Sequence, residues 1–268
     1  MPEPEHPDRD VLVETEGGVR IITLNRPDRL NALTDPMMIS LADAVATAAQ
    51  EADVGCVVIT GAGRGFCAGG DIKAGGGRVI EVDRTRGGRV EQNYARLRGH
   101  METSRWLHEM SKPTIAMING PVAGAGIGIA GACDLRIAGE SASFLSSFER
   151  IGAAGDFGST YFWTKILGSG RARELFFLGE KLDAPTALAM GIYTRVFADA
   201  ALREKTMAIA HRLADGPRMG WRYMKANLNI AEDTVFEAAL DQEAMNMGLS
   251  VMATAMIHKS ESRAPSKE

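Results

Sequence analysis

The chain has 268 residues, enough for one domain with a sizeable core, and its 45% hydrophobic and 24% charged residues are typical of a globular protein. A net charge of −4 gives no reason to expect nucleic acid as a partner. Three cysteines, an odd number without zinc-ligand spacing, argue against a disulfide framework and a metal site. No apolar run approaches the ~20 residues of a membrane span and no signal-peptide core is present, so we expect a cytoplasmic protein that does not bind membranes.

The first third of the sequence predicts a hairpin, a helix and a buried strand. Two β-like runs flank the turn residues Gly17 and Gly18, which is a hairpin signal. Thr34 or Asp35, followed by Pro36, is typical of a helix start. The resulting elements are strands at 11–14 and 19–24, a helix from about 35 to 51, and a strand at 56–60 whose unbroken apolar run indicates burial on both faces.

Two glycine-rich stretches each follow a strand-like run. The first, GFCAGGDIK at 65–73, comes after the strand at 56–60, and the second, NGPVAGAGIG at 119–128, comes after a predicted strand at 114–118. Glycine lets a backbone approach a ligand closely and turn its N–H groups outward. Two such loops could therefore aim two N–H groups at one developing oxyanion, which needs donors that are already in place.

The rest of the chain alternates strands and helices up to residue 198, which predicts an α/β layer structure. We expect a mobile segment after the first glycine-rich stretch and then one long helix over 90–110. Beyond residue 198 only helices are predicted, at 200–214, at 217–227 and from 234 to 247 or further. The sequence therefore divides into a core at 1–198 and a helical region at 199–268 with a disordered tail.

Four motifs occur in order along the chain: LNRPDRLNAL at 24–33, GFCAGGDI at 65–72, KPTIAMING at 112–120 and GACDLRIA at 131–138. One of them alone is a weak signal, whereas four with matching spacing are specific. Together they resemble the enoyl-CoA hydratase/isomerase (crotonase) superfamily over nearly the whole chain. The resemblance implies the crotonase-like spiral of β-β-α turns, with a C-terminal helical region that forms homotrimers or dimers of trimers.

The same resemblance implies an acyl-CoA thioester substrate, a role in fatty acid metabolism, and no cofactor apart from the coenzyme A that the substrate carries. The thioester oxygen should lie between the backbone N–H groups of Gly70 and Ala125. Proton removal beside a thioester places negative charge on that oxygen, which two preorganised donors stabilise. Residues that match family contacts to coenzyme A are Asp28, Arg29, Leu30, Ala68, Asp71 and Ile72. The acyl group should lie against the mobile segment 74–100 and against Phe144, Phe148 and Tyr161.

The sequence departs from the hydratase pattern at both positions where that pattern has a glutamate. Gly128 and Phe148 stand there, so the pair of carboxylates for water addition is missing. Asp156, eight residues after Phe148, resembles the aspartate that acts as a base in the dienoyl-CoA and phenylacetate-pathway isomerases. Apolar neighbours would raise its pKa, which suits proton transfer between two carbons. We therefore predict an isomerase-type enzyme with Asp156 as base and acid.

Other interpretations remain open at the level of sequence. Asp156 could cap a helix that starts near Phe157, and Glu149 could be the base. Within the family, the chain could be an enoyl-CoA hydratase, a dehalogenase or a non-catalytic acyl-CoA-binding protein. Outside it, GIGIAG at 126–131 fits the G-x-G-x-x-G pattern of a dinucleotide-binding oxidoreductase. Weaker candidates for a chemical role are Cys67, His100 and His108.

Overall fold

The computed structural model describes residues 9–71 and 88–261. Within this part of the chain, the largest element is a six-stranded sheet. In spatial order its strands are β1 (Val11–Glu16), β2 (Val19–Leu24), β3 (Cys56–Gly61), β4 (Thr114–Ile118), β6 (Leu135–Gly139) and β9 (Arg195–Phe197). β1 and β2 are antiparallel and form the predicted hairpin, whereas the other neighbouring strands are parallel. A smaller sheet contains β5 (Val122–Ala123), β7 (Ser143–Leu145) and β8 (Leu182–Asp183).

The described residues also form α-helices, some of which cover the two faces of the six-stranded sheet. In chain order they are α1 (Asp35–Gln50), α2 (Arg89–His100), α3 (Glu102–Glu109), α4 (Ala125–Ala132), α5 (Ser159–Leu167), α6 (Ser169–Leu178), α7 (Ala184–Ala189), α8 (Asp199–Ala214), α9 (Arg218–Ala231) and α10 (Phe236–Glu261). α1 begins where the sequence predicts, because the Thr34 side chain accepts a hydrogen bond from the Met37 N–H at 3.3 Å. The prediction of a single helix over 90–110 is wrong. Gly99 weakens the helix and the chain turns at Met101, where ψ is −8°, so α2 and α3 are separate.

Side chains of the central strands alternate between two cores. Val57 and Ile59 of β3 belong to the core that α1, α3 and α4 cover. Cys56 and Val58, which point the other way, pack with residues of α8 such as Leu202. Every residue of β3 is buried, which confirms the prediction of a strand covered on both faces.

The C-terminal region is helical, as predicted, and its helices differ in their contacts. α8 lies on the sheet, whereas α9 and α10 pack mainly against each other, with α9 also touching α3. The α/β fold is therefore confirmed, while the division of the chain at residue 198 stays a prediction. No helix in the described ranges is long and apolar enough to cross a membrane.

Some predicted features fall outside the described residues. They are Ile72, residues 74–87 of the predicted mobile segment, and residues 262–268 of the predicted tail. The remainder of the segment 74–100, from Arg89 onward, forms α2.

Candidate active site

The two glycine-rich stretches lie side by side. Cys67 and Val122 pair as a parallel bridge, and the Ala123 N–H donates to the Cys67 carbonyl at 2.8 Å. Gly69 has a φ of +92°, a conformation that favours glycine. A Cβ atom on Gly69 would lie only 3.4 Å from the Ala125 nitrogen. The missing side chain at position 69 therefore lets the first stretch lie directly against the second.

Hydrogen bonds on either side of Gly70 orient its amide. The Leu33 N–H donates to the Gly69 carbonyl at 2.8 Å, and the Leu33 carbonyl accepts from the Asp71 N–H at 2.8 Å. In a parallel bridge of this kind the middle residue directs its own N–H away from the partner strand. Gly70 is exposed, so its N–H can donate to a ligand.

Ala125 supplies the second predicted donor as the first residue of α4. The first N–H groups of a helix have no partner within it and carry partial positive charge. Because the Cβ position of Gly69 is 3.4 Å from the Ala125 nitrogen, covalent geometry places the Gly70 nitrogen within about 7 Å of it. The two donors are therefore neighbours, and their convergence on one oxygen stays a prediction.

The loop at 25–31 is fastened to the first glycine-rich stretch. The Ala68 N–H donates to the Leu30 carbonyl at 2.9 Å. The buried Asn31 side chain donates to the Gly65 carbonyl at 2.7 Å. These bonds bring together the predicted coenzyme A contacts that the structure describes, which are Asp28, Arg29, Leu30, Ala68 and Asp71.

Asp71 differs from the other predicted contacts because its side chain is buried. Its carboxylate pairs with the Arg26 guanidinium at 2.9 Å, whereas Asp28, Arg29 and Ala68 are exposed. The Asp71 side chain therefore joins the loop to the glycine-rich stretch. Sequence reasoning missed Arg26, because no local pattern links residues so far apart in the chain.

Gly128 is the fourth residue of α4. There is no room for a side chain at this position. A Cβ atom on Gly128 would lie 2.7 Å from the Phe157 Cβ and 2.9 Å from the Asp156 carbonyl oxygen. Both distances are shorter than van der Waals contact allows. The backbone at 156–157 therefore occupies the space into which a glutamate at position 128 would extend.

Asp156 lies in the turn that presses against α4. Its side chain is mostly buried, and this burial raises the pKa of the carboxyl to about 6. Among the described residues, none donates a hydrogen bond to its Oδ1 atom. The interpretation of Asp156 as a helix cap is wrong. Gly158 occupies the N-cap position of α5 without a side-chain cap, because positive φ values at Phe157 and Gly158 turn the chain between the carboxylate and the helix.

Cys67, in the first glycine-rich stretch, is fully buried. Burial, together with a smaller effect of the Asp156 charge, raises the pKa of the Cys67 thiol to about 12. The Asp156 backbone itself lies against the second glycine-rich stretch, because its carbonyl oxygen would be 2.9 Å from a Cβ atom on Gly128. A thiol with so high a pKa is protonated at neutral pH, so Cys67 is a core residue rather than a nucleophile.

Phe148 lines an open cavity of about 500 Å³. Its ring is parallel to that of Phe176, with ring centroids 5.8 Å apart. The Cε1 atom of Phe176 lies 3.8 Å from the position that a Cβ on Gly155 would take, so the cavity borders the turn that carries Asp156. Phe176 is an aromatic neighbour that sequence reasoning missed, since only the fold brings α6 to this turn.

Two other residues expected at the acyl group lie elsewhere. Phe144 is fully buried, with its ring against Trp163 at a centroid distance of 4.8 Å, because β7 turns this side chain into the core. The Tyr161 hydroxyl donates to Asp233 at 2.6 Å, next to the end of α9. Neither residue lines the cavity beside Phe148, and their contact with an acyl group stays a prediction.

The weaker candidates have structural partners. Glu149 accepts a hydrogen bond from the Ser146 hydroxyl at 3.1 Å. His100 is buried at the end of α2, and this burial lowers the pKa of its ring. The ring of His108 packs against Phe162 at a centroid distance of 5.2 Å. These contacts give all three side chains structural partners, and Glu149 also lines the cavity beside Phe148, so their chemical roles stay untested.

The glycines of the GIGIAG pattern hold α4 against the protein. Cβ atoms at Gly126, Gly128 and Gly131 would meet Cys67, Phe157 and Phe162 respectively. A dinucleotide-binding motif needs these glycines at a tight turn that faces a pyrophosphate. The dinucleotide-binding interpretation is therefore wrong.

Known proteins share this arrangement of the chain. A family model described as enoyl-CoA hydratase/isomerase matches residues 14–263. The chain is 35% identical to 1,2-epoxyphenylacetyl-CoA isomerase of Escherichia coli (strain K12) over 233 residues, which cover 87% of each chain. It is 30% identical to 4-chlorobenzoyl coenzyme A dehalogenase-1 of an Arthrobacter species, covering 91% of this chain and 86% of that relative. A solved structure from Thermobifida fusca YX, assigned as an enoyl-CoA hydratase and in complex with CoA, matches with a TM-score of 0.84 at 27% identity, covering 95% of this chain and 98% of that one.

The family match includes both glycine-rich stretches and the helical C-terminal region. Relatives named for different reactions share it, as expected where a few side chains on a common fold decide the chemistry. The chain therefore belongs to the enoyl-CoA hydratase/isomerase family of the crotonase superfamily.

Proposed function

We propose that this protein moves a proton between two carbons of an acyl-CoA thioester, an isomerase-type reaction in which Asp156 is both base and acid. The observation that carries the proposal is the mostly buried Asp156 carboxylate, on a backbone that packs against Gly128 of the second glycine-rich stretch. Gly128 and Phe148 offer no second carboxylate at the positions that the hydratase pattern uses. One carboxylate suffices for proton transfer, whereas the hydratase pattern uses two.

The reaction needs only groups that this chain supplies. The ionised Asp156 takes a proton from a carbon conjugated with the thioester carbonyl, and the electron pair of the broken C–H bond moves onto the carbonyl oxygen. The N–H groups of Gly70 and Ala125 donate to the resulting enolate oxygen, where one such donor is worth about 3–4 kcal/mol. Asp156 then returns the proton to another carbon of the conjugated system. The carboxylate is regenerated, and no cofactor beyond the coenzyme A of the substrate is required.

A pKa near 6 suits this role of Asp156. At neutral pH the carboxyl is mostly ionised and can accept a proton, yet it is more basic than an exposed aspartate. Activity should therefore decline as the pH falls through about 6, because protonated Asp156 cannot act as the base.

The acyl group is proposed to lie against Phe148. The two relatives named above act on phenylacetyl and benzoyl thioesters, whose acyl groups contain a ring. The parallel rings of Phe148 and Phe176 offer flat apolar surface of the kind that such groups pack against. The coenzyme A part would lie on the exposed residues Asp28, Arg29 and Ala68, which match family contacts to coenzyme A, and a structural relative does bind CoA.

We also propose a homotrimer or a dimer of trimers in the cytoplasm. Apolar side chains exposed along α10 support an assembly through the C-terminal helices. The three cysteines are free thiols, which is usual for proteins of a reducing compartment.

The test is to incubate the pure protein with 2-enoyl, 3-enoyl and aromatic CoA esters in heavy water. Deuterium uptake without addition of water is the expected result, and a 3-hydroxyacyl product would instead indicate a hydratase. Asp156→Asn should lower the exchange rate by about 10²–10⁴-fold, whereas Glu149→Gln should retain it. If Glu149→Gln is the inactive variant, the base is wrongly assigned. Binding of every ester without turnover would favour a non-catalytic acyl-CoA-binding protein.

A further inference from the structure

The backbone, rather than hydrogen bonds to the carboxylate, holds Asp156 in place. In the part of the chain that the structure describes, no donor reaches its Oδ1 atom. The surrounding turn has an unusual conformation, with φ of +103° at Gly155, +50° at Phe157 and +74° at Gly158. For a bulky residue such as phenylalanine a positive φ is an outlier, so the structure around the turn must impose it.

α4 and the core behind it impose this conformation. The Phe157 side chain is 1% exposed and belongs to the main core. The backbone of the turn fits into the notch at Gly128, where a Cβ atom would meet the Phe157 Cβ at 2.7 Å and the Phe157 carbonyl oxygen at 2.8 Å. α5, which continues from the turn, is tied to the same helix because the Trp163 indole N–H donates to the Ile127 carbonyl at 3.2 Å.

We propose that Phe157 and Gly128 are positioning residues that fix the Asp156 carboxylate at the active site and restrict that site to single-carboxylate chemistry. Phe157 anchors the turn in the core, and Gly128 leaves the space that the turn occupies. The same packing excludes any side chain at position 128, so no second carboxylate can enter from α4. The inference rests on the proposed function, in which Asp156 moves the proton.

Gly128→Ala tests the notch, because the added methyl group must push the turn away from α4. Gly131→Ala, on the same helix as Gly128, is the matched control. Its Cβ would lie 3.0 Å from the Phe162 Cβ of α5 and would not touch the turn at 155–158. The first measurement needs no substrate. The free energy of unfolding is measured against pH for the wild type, Gly128→Ala and Gly131→Ala, each with and without Asp156→Asn. The difference within each pair gives the pKa of Asp156. We expect a pKa at least about one unit lower in Gly128→Ala and an unchanged pKa in Gly131→Ala.

The second measurement separates kcat from KM. Displacing the carboxylate should lower kcat by at least about tenfold in Gly128→Ala while KM changes by less than about twofold, because the coenzyme A contacts lie on other loops. Gly131→Ala should keep both values near those of the wild type. The acidic limb of the pH–rate profile should move with the pKa of Asp156.

Phe157→Ala and Phe157→Leu test whether Phe157 anchors the Asp156 turn in the core. They also test the proposal if Gly128→Ala does not fold. Alanine removes the side chain that fills the core and should lower both the pKa of Asp156 and kcat, whereas leucine should restore most of both. The proposal is overturned if the pKa and kcat remain at wild-type values in Gly128→Ala and Phe157→Ala. If Asp156→Asn keeps full turnover, the proposed function fails, while the pKa measurement still decides whether the notch positions Asp156.

Discussion

Asp156, the proposed base, is buried at a cost to stability. Burial raises the pKa of its carboxyl from 3.8 to about 6, so the folded protein binds this proton more tightly than the unfolded chain. Below the pKa that this carboxyl has in the unfolded chain, it is protonated in both states and costs no stability. As the pH rises from there through the pKa in the folded protein, the folded protein is progressively destabilised relative to the unfolded chain. At neutral pH the shift of about two pH units corresponds to a destabilisation of about 3 kcal/mol.

Asp156→Asn should therefore be more stable than the wild type at pH 7.5, by about 1–3 kcal/mol in the free energy of unfolding, because the neutral amide avoids the buried charge. At pH 4 the difference should nearly vanish. Urea unfolding at the two pH values measures both quantities. Asp183 provides the contrast, since hydrogen bonds from Thr186 lower the pKa of its carboxyl. Removing the Asp183 carboxylate should therefore destabilise the protein more at neutral than at acidic pH. Equal effects of Asp156→Asn at pH 4 and 7.5 would contradict the expectation.

For single residues, the sequence predicts candidates for the chemistry but not the contacts that hold them in place. The spacing between Phe148 and Asp156 suggested the base, and the glycines suggested the donors. The interpretation of Asp156 as a helix cap failed because the positive φ of Phe157 depends on contact with Gly128, a distant residue in the chain. A local pattern contains no information on such a contact.

Among the elements, the loop at 25–31 and the first glycine-rich stretch form one unit. Asn31 donates to the carbonyls of Ala62 and Gly65, and Arg26 pairs with Asp71. The side chains of Arg26 and Asp71 are only 19% and 10% exposed, so solvent screens their attraction less than that of a surface pair. This unit carries both the proposed coenzyme A surface and Gly70, the proposed first donor to the thioester oxygen.

Asp71→Asn should weaken this unit and raise KM for a CoA ester by about tenfold, with a smaller effect on kcat, because the binding surface loses its fixed shape. Steady-state kinetics with one ester gives both constants. Glu109→Gln is the control, because Glu109 pairs with Arg105 on the exposed surface of α3, where an ion pair contributes little. An unchanged KM in Asp71→Asn would show that the pair does not shape the binding surface.

Elements with a strong local signal were predicted well, and elements fixed by distant contacts were not. The hairpin of β1 and β2 and the buried strand β3 follow from residue type and alternation alone. The split between α2 and α3 was missed because Gly99 is tolerated in a helical pattern and only packing shows the turn at Met101. The end of α10 was left open beyond residue 247, because its exposed apolar residues give no clear helical stripe, and the structure places it at Glu261.

Over the whole molecule, one buried lysine fastens the C-terminal helices to the core. The Lys225 ammonium, on α9, donates to the Leu107 carbonyl at 2.8 Å and pairs with Asp134 at 2.9 Å. Asp134 in turn accepts from the Thr114 N–H at 2.7 Å. This network connects α9, α3 and the start of β4. No sequence pattern predicts this network, because the residues that form it are far apart in the chain.

Lys225→Met should lower the free energy of unfolding by about 1–3 kcal/mol, because the buried Leu107 carbonyl loses its donor and the partly exposed Asp134 loses its ion pair. Denaturant unfolding followed by circular dichroism measures the loss. Lys205→Met removes an exposed lysine from α8 and should change stability by less than about 0.5 kcal/mol. If the two variants unfold alike, the network does not hold the C-terminal helices.

The apolar surface of α10 predicts assembly. Large apolar side chains that are exposed along this helix include Leu240, Met247, Leu249, Val251, Met252 and Met256. A surface of this kind marks a protein interface more often than a free face. We therefore expect the wild type to be a trimer or hexamer in solution.

Leu249→Glu combined with Met252→Glu should dissociate the assembly, because burying two carboxylates in an apolar interface costs more than the remaining contacts supply. Light scattering after gel filtration gives the mass of each variant directly. Ile39→Glu places the same charge at an exposed apolar residue of α1 and should leave the mass unchanged. If the double variant keeps the wild-type mass, or the wild type is itself a monomer, α10 is not the interface, and its apolar residues must be covered within one chain or remain in water.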